Sequence, residues 1–399
     1  MSKTKLSSGQ IKVGATGFLS LFAIVGISFY GLPFFFDFWA EDFGWSRTTI
    51  TSGNAVGKMS IAVFAFLFGW LVDRFGPKRV MLIGIILGGI SLMGLGNMTS
   101  LWMFYFFYFL NAMAYMTVGP LPNQVLISRW FTTNRGKAMG FAYIGIGVGG
   151  MLVPQIARFF NVHFNWHISL TLLGALMILV AFPMILLVKD NPEGGELKHA
   201  ANEPKIPFRE VFKRRNVYLL IIGSACSIGA VAGTIQHLKL FLSLDLEFSQ
   251  KLAANMFSMI LGASIIGRIT MGILADMFPK KYVMILIYTL VAASIPLLYL
   301  VGDTPWILYV FAFFFGVALG GDYMIIPLMA AELFGVKILG RIMGVVITAD
   351  VLGEAFAPLL VGYIRDQSHD YTMGFTALII LAVIGTIAIS LLPKKPAEK

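Results

Sequence analysis

Cysteine and charge are both scarce in this chain. Cys226 is the single cysteine among 399 residues, which excludes an intramolecular disulfide. Only 13% of the residues are charged, whereas 58% are hydrophobic and the mean hydropathy is +0.82. These values are too apolar for a soluble globular protein and indicate an integral membrane protein. The sequence also lacks a phosphate-binding loop, a cysteine pair and a nucleophile with a matching histidine and acid, so we predict no enzyme, no cofactor and no metal site.

Polar stretches long enough to separate domains are also rare, and most of the remaining sequence consists of long apolar runs. An apolar helix of about 20 residues crosses the hydrocarbon core of a bilayer, which is ~30 Å thick. Twelve such runs predict an all-α membrane protein with twelve transmembrane helices. They lie near 13–39, 48–72, 80–97, 101–128, 138–160, 168–188, 217–243, 252–276, 283–301, 306–333, 342–365 and 373–392.

Acidic residues are fewer than basic ones, 20 against 30, and the basic residues lie unevenly along the chain. When the N-terminus and every second loop are placed in the cytoplasm, 23 of the 30 lie on that side. They are at 3–12, 74–79, 129–137, 189–215, 280–281, 337–341 and 394–399. The positive-inside rule therefore predicts cytoplasmic termini. We expect the membrane to be a bacterial inner membrane. The excess of basic charge reports orientation in the bilayer and does not indicate nucleic-acid binding.

The two halves of the chain repeat one another. GWLVDRFGPKR at 69–79 aligns with GILADMFPKKY at 272–282, which pairs Gly69 with Gly272 and Asp73 with Asp276 at an offset of 203 residues. Gly149 and Gly353 match at an offset of 204. We therefore predict a six-helix half over 1–188, a cytoplasmic linker over 189–216 and a second six-helix half over 217–399. Parallel repeats of this kind are typical of transporters that work by alternating access, with sites near the bilayer midplane.

GWLVDRFGPKR resembles the conserved loop of the major facilitator superfamily, complete at Gly69, Asp73, Gly76, Lys78 and Arg79. FGWSRTTI, WFTTNRGKAMG, GRITMGILAD and GDYMIIPLMAAELFG resemble its monocarboxylate transporter and oxalate/formate antiporter branch. The resemblance implies twelve helices in two pseudo-symmetric halves and a protein that functions as a monomer. In the loop, Gly69 permits close helix approach, and the charges suit helix ends. We expect Gly69, Asp73, Gly76 and Arg79, with Asp276 in the second copy, to form a conformational latch.

Arg268 is the most informative residue, because no other charge lies within seven residues of it. An arginine at the centre of a membrane helix costs at least ~2.5 to 3.5 kcal/mol, so it must face protein, water or a ligand. Its counterpart in the repeat is Ala65, so the scaffold does not demand a cation. A guanidinium offers two parallel donors that fit a carboxylate. A small organic anion is therefore the predicted substrate, although a structural Arg268–Asp322 pair would also explain the charge.

Two acids in the second half also break the repeat. Asp322 corresponds to Gly119 and Asp350 to Ile146. Glu354 follows Asp350 by four residues, which disfavours ionisation of both acids together. One of these three acids is a candidate proton carrier. Because the resemblance implies that spans two and eleven meet, a pair between Lys58 and Asp350 or Glu354 is a candidate gate.

The resemblance also implies that Arg268 binds the substrate carboxylate and that Asp322 pairs with it. The sequence departs from its relatives at Phe34 and Ser264, where animal members carry a lysine and an aspartate, and it has acids in span eleven where the antiporters have a cation. A monoanion such as lactate or pyruvate moving with a proton fits this pattern better than a dianion. An anion exchanger and a non-transporting sensor are the alternatives. Further candidates are Lys58, Tyr30, Asn123 and Tyr143 for substrate binding and His237 for a proton path.

Overall fold

The computed structural model describes residues 6–192, 208–301 and 306–393. Within them, twelve helical spans are long and apolar enough to cross a membrane, which confirms the predicted fold class. They are numbered one to twelve here. Their bounds are Ser8–Phe43, Thr48–Phe75, Pro77–Gly96, Leu101–Trp130, Arg135–His163, Trp166–Leu187, Arg215–Ser243, Asn255–Met277, Lys280–Leu300, Ile307–Phe334, Leu339–Ser368 and Thr372–Ser390. A separate short helix covers Phe208–Val211. The predicted basic segments at residues 3–5 and 394–399, and most of the linker, lie outside the described residues.

Short polar residues begin several of these helices. Ser46, Ser100, Asn165 and Ser249 each occupy the N-cap position, where the side-chain oxygen accepts a hydrogen bond from a backbone amide in the first turn. Such caps satisfy amides that have no partner within the helix, so the sequence fixes where these spans start.

Spans one and four are not continuous α-helices. Span one passes from an α-helix at Ser8–Val25 through a π-helix at Gly26–Gly31 and a 3-10 turn at Leu32–Phe35 to a second α-helix at Phe36–Phe43. Span four is broken at Gly119, between helices Leu101–Val118 and Pro120–Trp130. The break follows from Pro120 and Pro122, because neither has an amide hydrogen to continue the helical ladder.

The chain forms two compact units. Among the described residues, unit 1 holds 6–132, 141–192 and 336–344, and unit 2 holds 133–140, 208–301, 306–335 and 345–393. The units follow the two halves of the sequence except for the short segments 133–140 and 336–344. The linker boundary at 189–216 stays a prediction, because residues 193–207 are not described.

Each unit contains the same glycine contact, which supports the register of the repeat. In unit 1, a Cβ added to Gly26 would lie 2.9 Å from the Cα of Gly149. In unit 2, a Cβ added to Gly229 would lie 3.1 Å from the carbonyl oxygen of Gly353. Gly26 and Gly229 are 203 residues apart, and Gly149 and Gly353 are 204 apart. The first and fifth helices of each half therefore cross at equivalent positions.

Candidate functional site

Arg268 lies on span eight of unit 2 and is buried, with 8% of its surface exposed. Its Nη1 donates a hydrogen bond of 3.0 Å to Oγ of Ser264, one turn earlier on the same helix. Ser264 Oγ in turn donates to the carbonyl of Leu261 at 2.7 Å. Ser264 thus supports the guanidinium at the position where the resemblance implies an aspartate in animal members.

Glycines bring span ten close to the backbone of Arg268. A Cβ added to Gly320 would lie 3.0 Å from the backbone nitrogen of Arg268, and one added to Gly267 would lie 2.8 Å from the carbonyl carbon of Val317. Small residues at helix crossings permit such contacts in membrane proteins. They fix the height of Arg268 relative to span ten within unit 2.

Both predicted acids of unit 2 accept hydrogen bonds from serines of span seven. Oγ of Ser227 donates to Oδ2 of Asp322 at 2.9 Å, and Oγ of Ser224 donates to Oδ1 of Asp350. The two serines are three residues apart and therefore share one helix face. Asp322 is fully buried and Asp350 is 5% exposed. The hydrogen bonds seen at Arg268 and Asp322 lead to different serines, so the pair that the resemblance implies stays a prediction.

Tyr288 of span nine completes this buried cluster. Its side chain is fully buried, and its hydroxyl interacts electrostatically with Asp322 and Asp350. Sequence reasoning missed Tyr288, Ser224 and Ser227, because it followed charged residues. A repeat alignment of polar residues would have found them.

Glu354 lies on a different part of span eleven. Its carboxylate accepts a hydrogen bond from the hydroxyl of Tyr323, whose side chain is 38% exposed, and Glu354 itself is half-buried. Glu354 still interacts electrostatically with Asp350, as their spacing of four residues predicts. Among the two, Asp350 is the acid that belongs to the buried cluster.

His237 connects span seven to span eleven and to the start of span twelve. Its Nε2 lies 2.9 Å from the carbonyl oxygen of Pro358, and its Nδ1 lies 3.2 Å from the hydroxyl of Tyr371. Because a carbonyl only accepts, Nε2 donates to Pro358, while Nδ1 is within hydrogen-bond distance of the Tyr371 hydroxyl. Both ring nitrogens are therefore engaged in contacts between helices.

Asn123 of unit 1 supplies hydrogen-bond donors to backbone carbonyls at the break in span four. Its Nδ2 donates to the carbonyls of Val118 and Gly119 at 2.9 and 2.8 Å, and its Oδ1 accepts from Ser20 at 3.1 Å. Pro122 lacks the amide that would have bonded to Val118. Since Asn123 is fully buried and these contacts use its amide, we leave it out of the proposed substrate site.

The other substrate candidates of unit 1 differ in burial. Tyr143 is 2% exposed, and its hydroxyl accepts a hydrogen bond of 2.6 Å from Nε2 of Gln124. Tyr30 and Lys58 are half-buried, and Tyr30 lies on the π-helical part of span one. Lys58 belongs to unit 1, whereas Asp350 and Glu354 belong to unit 2, so the predicted gate stays a prediction.

The two aspartates of the repeated loop make matching contacts. Oδ1 of Asp73 accepts from the amide of Gly340 at 2.9 Å, and Oδ2 accepts from the amide and Nε of Arg341 at 3.0 and 3.1 Å. Oδ1 and Oδ2 of Asp276 accept from the amides of Gly136 and Lys137 at 2.6 and 2.8 Å. Each carboxylate thus caps the N-terminus of a helix whose dipole favours negative charge.

These contacts explain why residues 336–344 cluster with unit 1 and 133–140 with unit 2. Close glycine contacts support them, since a Cβ on Gly69 would lie 2.7 Å from the carbonyl carbon of Gly340. Gly76 ends span two with a φ of +86°, a conformation that glycine adopts most easily. Arg79, expected in the latch, is exposed, and the guanidinium that contacts Asp73 is that of Arg341. The positive charge beside Asp73 is supplied by Arg341, in the segment 336–344 that packs against it. This arginine is distant from Asp73 in the sequence, so the spacing of the loop motif could not show the contact.

The fold and these paired loops define a multi-span membrane protein built from two related units. The family model of the Major Facilitator Superfamily matches residues 18–276 and 240–399, and the chain belongs to this family. It is accordingly a multi-pass membrane transporter, and the family and fold are typical of proteins that are not enzymes.

The proteins to which this chain is similar are named for different activities. The chain is 26% identical to monocarboxylate transporter 13 of Bos taurus over 81% of this chain and 75% of that one. It is 23% identical to the uncharacterized MFS-type transporter YcxA of Bacillus subtilis over 90% and 89%. It is 27% identical to the membrane sensor protein UhpC of Escherichia coli over 40% and 37%. The solved proton:xylose symporter XylE shares the fold, with a TM-score of 0.71 at 16% identity over 96% and 95% of the two chains.

Proposed function

We propose that this protein carries a small monocarboxylate, of the lactate or pyruvate type, together with a proton by alternating access. The observation that carries the proposal is the buried guanidinium of Arg268, held by Ser264 on a span where the first half of the repeat has an alanine. A buried arginine is costly in a membrane helix and pairs well with a carboxylate. Similarity to a protein named monocarboxylate transporter 13 supports the same substrate class.

Coupling to a proton is supported by the burial of Asp322 and Asp350. A carboxylate in a low-dielectric interior is stable when it is protonated or paired with a cation. The substrate is a monoanion, so its movement with one proton would transfer no net charge. Lys58, Tyr30 and Tyr143 are the proposed further contacts of the substrate. We propose in addition that the protein acts as a monomer in a bacterial inner membrane, with both termini in the cytoplasm.

Uptake by purified protein in proteoliposomes tests the proposal. Radiolabelled lactate, pyruvate and longer carboxylates are supplied with and without an inward proton gradient. We expect saturable uptake that the gradient stimulates and that Arg268→Ala abolishes. Arg268→Lys keeps the charge but loses the fork of two donors, so we expect substrate affinity to fall by about tenfold or more. Arg158→Ala, an exposed arginine of span five, is the matched control.

The two alternatives give different results in the same assay. An exchanger would require carboxylate inside the vesicles and would ignore the proton gradient. A sensor would bind a carboxylate without any flux. This alternative is supported by partial similarity to the membrane sensor protein UhpC. Carboxylate uptake that survives Arg268→Ala at the wild-type rate would contradict the assigned role of this residue.

A further inference from the structure

The buried cluster in unit 2 draws its side chains from four helices. Ser224 and Ser227 come from span seven, Tyr288 from span nine, Asp322 from span ten and Asp350 from span eleven. None of the five is more than 5% exposed. We call them the oxygen cluster, because every polar atom that they bring together is an oxygen.

The oxygen cluster has acceptor atoms that no protein group uses. Among the described residues, Oδ1 of Asp322 and the hydroxyl of Tyr288 have no hydrogen-bond partner, although both are buried. They therefore do not bond to each other, yet the Tyr288 hydroxyl lies close enough to Asp322, Asp350 and Ser224 to interact with all three. The hydroxyl of Ser227 donates to Asp322, so its lone pairs can also accept. Buried oxygens with unused lone pairs are suited to a positively charged ligand.

The charge of the cluster indicates the same kind of ligand. The electrostatic partners of Asp350 include Asp322 and Glu354, which are both acidic. Burial of two carboxylates without positive charge is costly. Other titratable or charged groups on the surrounding helices include Cys226 on span seven and Glu354 on span eleven, which interact electrostatically with members of the cluster, and Arg268 on span eight, which packs against span ten.

Helix packing does not require these oxygens. The same positions in the first half of the repeat are Leu21, Ile24, Ile85, Gly119 and Ile146, at offsets of 203 residues, or 204 for the last. In unit 1, these five positions lie on spans one, three, four and five, and all are occupied by apolar or small residues. The oxygen cluster is therefore a property of unit 2 that the shared scaffold does not explain.

We propose that the oxygen cluster is a binding site for one Na⁺ ion, which competes with a proton for the carboxylates of Asp322 and Asp350. Hard cations prefer ligand sets made only of oxygen. A calcium ion takes six to eight oxygens, a number that the cluster reaches only if both oxygens of each carboxylate bind, although Oδ1 of Asp350 and Oδ2 of Asp322 already accept hydrogen bonds from serines. Magnesium retains several waters, which a site buried between helices does not accommodate. A small monovalent ion suits two carboxylates and three hydroxyls. The proposal extends the proposed function by naming a second coupling ion.

Direct binding of ²²Na⁺ to the purified full-length protein tests this site, with choline as the background cation. At alkaline pH we expect saturable binding of one ion per protein, which weakens as the pH falls because protons compete. Asp322→Asn and Asp350→Asn should abolish binding. Ser227→Ala and Tyr288→Phe each remove one oxygen ligand and should weaken binding by about tenfold or more.

Two matched substitutions serve as controls. Ser294→Ala removes a buried serine of unit 2 whose hydroxyl bonds within its own helix, and Tyr108→Phe removes a buried tyrosine hydroxyl of unit 1. Both should bind Na⁺ as the wild type does. Thermal unfolding of every variant, measured in choline, separates lost binding from lost structure. Among the variants that fold, Na⁺ should raise the melting temperature of the controls as much as that of the wild type, and should raise that of the cluster variants less or not at all.

The outcomes for Na⁺ binding and for carboxylate transport are distinguishable. The Na⁺ site would be overturned if the wild type bound no ²²Na⁺ at any pH, or if all four cluster variants bound ²²Na⁺ as tightly as the wild type. Either result would count against the site even if proton-driven carboxylate uptake is intact. Na⁺ binding that depends on the cluster supports the site even if no carboxylate is transported, in which case the proposed substrate is wrong.

Discussion

Ser227 donates a hydrogen bond of 2.9 Å to Asp322, and the bond joins span seven to span ten in the buried part of unit 2. One turn earlier on span seven, Ser224 makes the equivalent bond to Asp350. Span seven thus orients two acids that lie on different helices. Both acids are removed from solvent, and the protonation or ion occupancy of this pair is the coupling step that we propose.

Asp322→Asn and Asp350→Asn should remove the stimulation of carboxylate uptake by a proton gradient. Asparagine resembles aspartate in shape but does not exchange a proton near neutral pH, so the coupling step is lost. The measurement is the ratio of uptake with and without an inward gradient in proteoliposomes. Asp366→Asn, an exposed acid of span eleven, should keep the wild-type ratio. Retention of full stimulation in both buried variants would show that neither acid carries the proton.

Asn123→Leu should destabilise unit 1. The substitution leaves the buried carbonyls of Val118 and Gly119 without the donors that Asn123 supplies, and each orphaned group costs about 1 to 3 kcal/mol. Thermal unfolding in detergent checks this prediction. The control Asn97→Leu, at an exposed position, should change stability by less than about 0.5 kcal/mol. An Asn123→Leu protein as stable as the control would mean that the helix break does not need this amide.

Asp73→Asn and Asp276→Asn should loosen different segments. Asp73 holds the amides of Gly340 and Arg341, whereas Asp276 holds those of Gly136 and Lys137. Loss of a hydrogen bond to a charged group costs about 1.5 to 3 kcal/mol, so local amide exchange should accelerate by about tenfold or more. Hydrogen exchange with mass spectrometry should show the change over 336–344 in the first variant and over 133–140 in the second. Equal exchange of both segments in both variants would contradict this assignment.

Tyr371 should make stability depend on pH in the alkaline range. It lies between spans eleven and twelve, and burial raises the pKa of its hydroxyl, with a contribution from the nearby charge of Asp245. Below the ordinary tyrosine pKa of about 10, the folded and unfolded states both keep the proton and this group adds no pH dependence. Above it, the unfolded state loses the proton first, so the free energy of unfolding falls as the pH rises.

The substitution Tyr371→Phe should therefore flatten part of the alkaline decline in stability. The measurement is the slope of the free energy of unfolding against pH, compared with wild type, because loss of the bond to His237 also lowers stability at neutral pH. Tyr363→Phe, at a tyrosine that is 66% exposed, should leave the slope unchanged. An unchanged slope in Tyr371→Phe would show that the hydroxyl titrates alike in both states.

Much of the fold was predictable, because the bilayer imposes length and hydropathy on every span. The start of span two at Thr48 and the end of span ten near Phe334 lie close to the predicted bounds. The site was less accessible to prediction. Arg268 was found because a charge is conspicuous in an apolar helix, whereas Tyr288, Ser224 and Ser227 are common residues in membrane helices and stand out only when they are compared with their apolar counterparts in the first half. The role of Arg341 depends on which chain segment packs on Asp73, and sequence spacing does not encode that.

The sequence alone determined the number of spans, the repeat of the two halves and the costly placement of Arg268, Asp322 and Asp350, since these follow from hydropathy and from counting along the chain. Only the tertiary structure decided which groups those charges meet. It showed that Asn123 bonds to carbonyls at a helix break and that Ser227 and Ser224 bond to Asp322 and Asp350. It also showed that Tyr288 is buried beside these acids. Such contacts depend on helix rotation and crossing, which the packing of the whole unit fixes and no single segment contains.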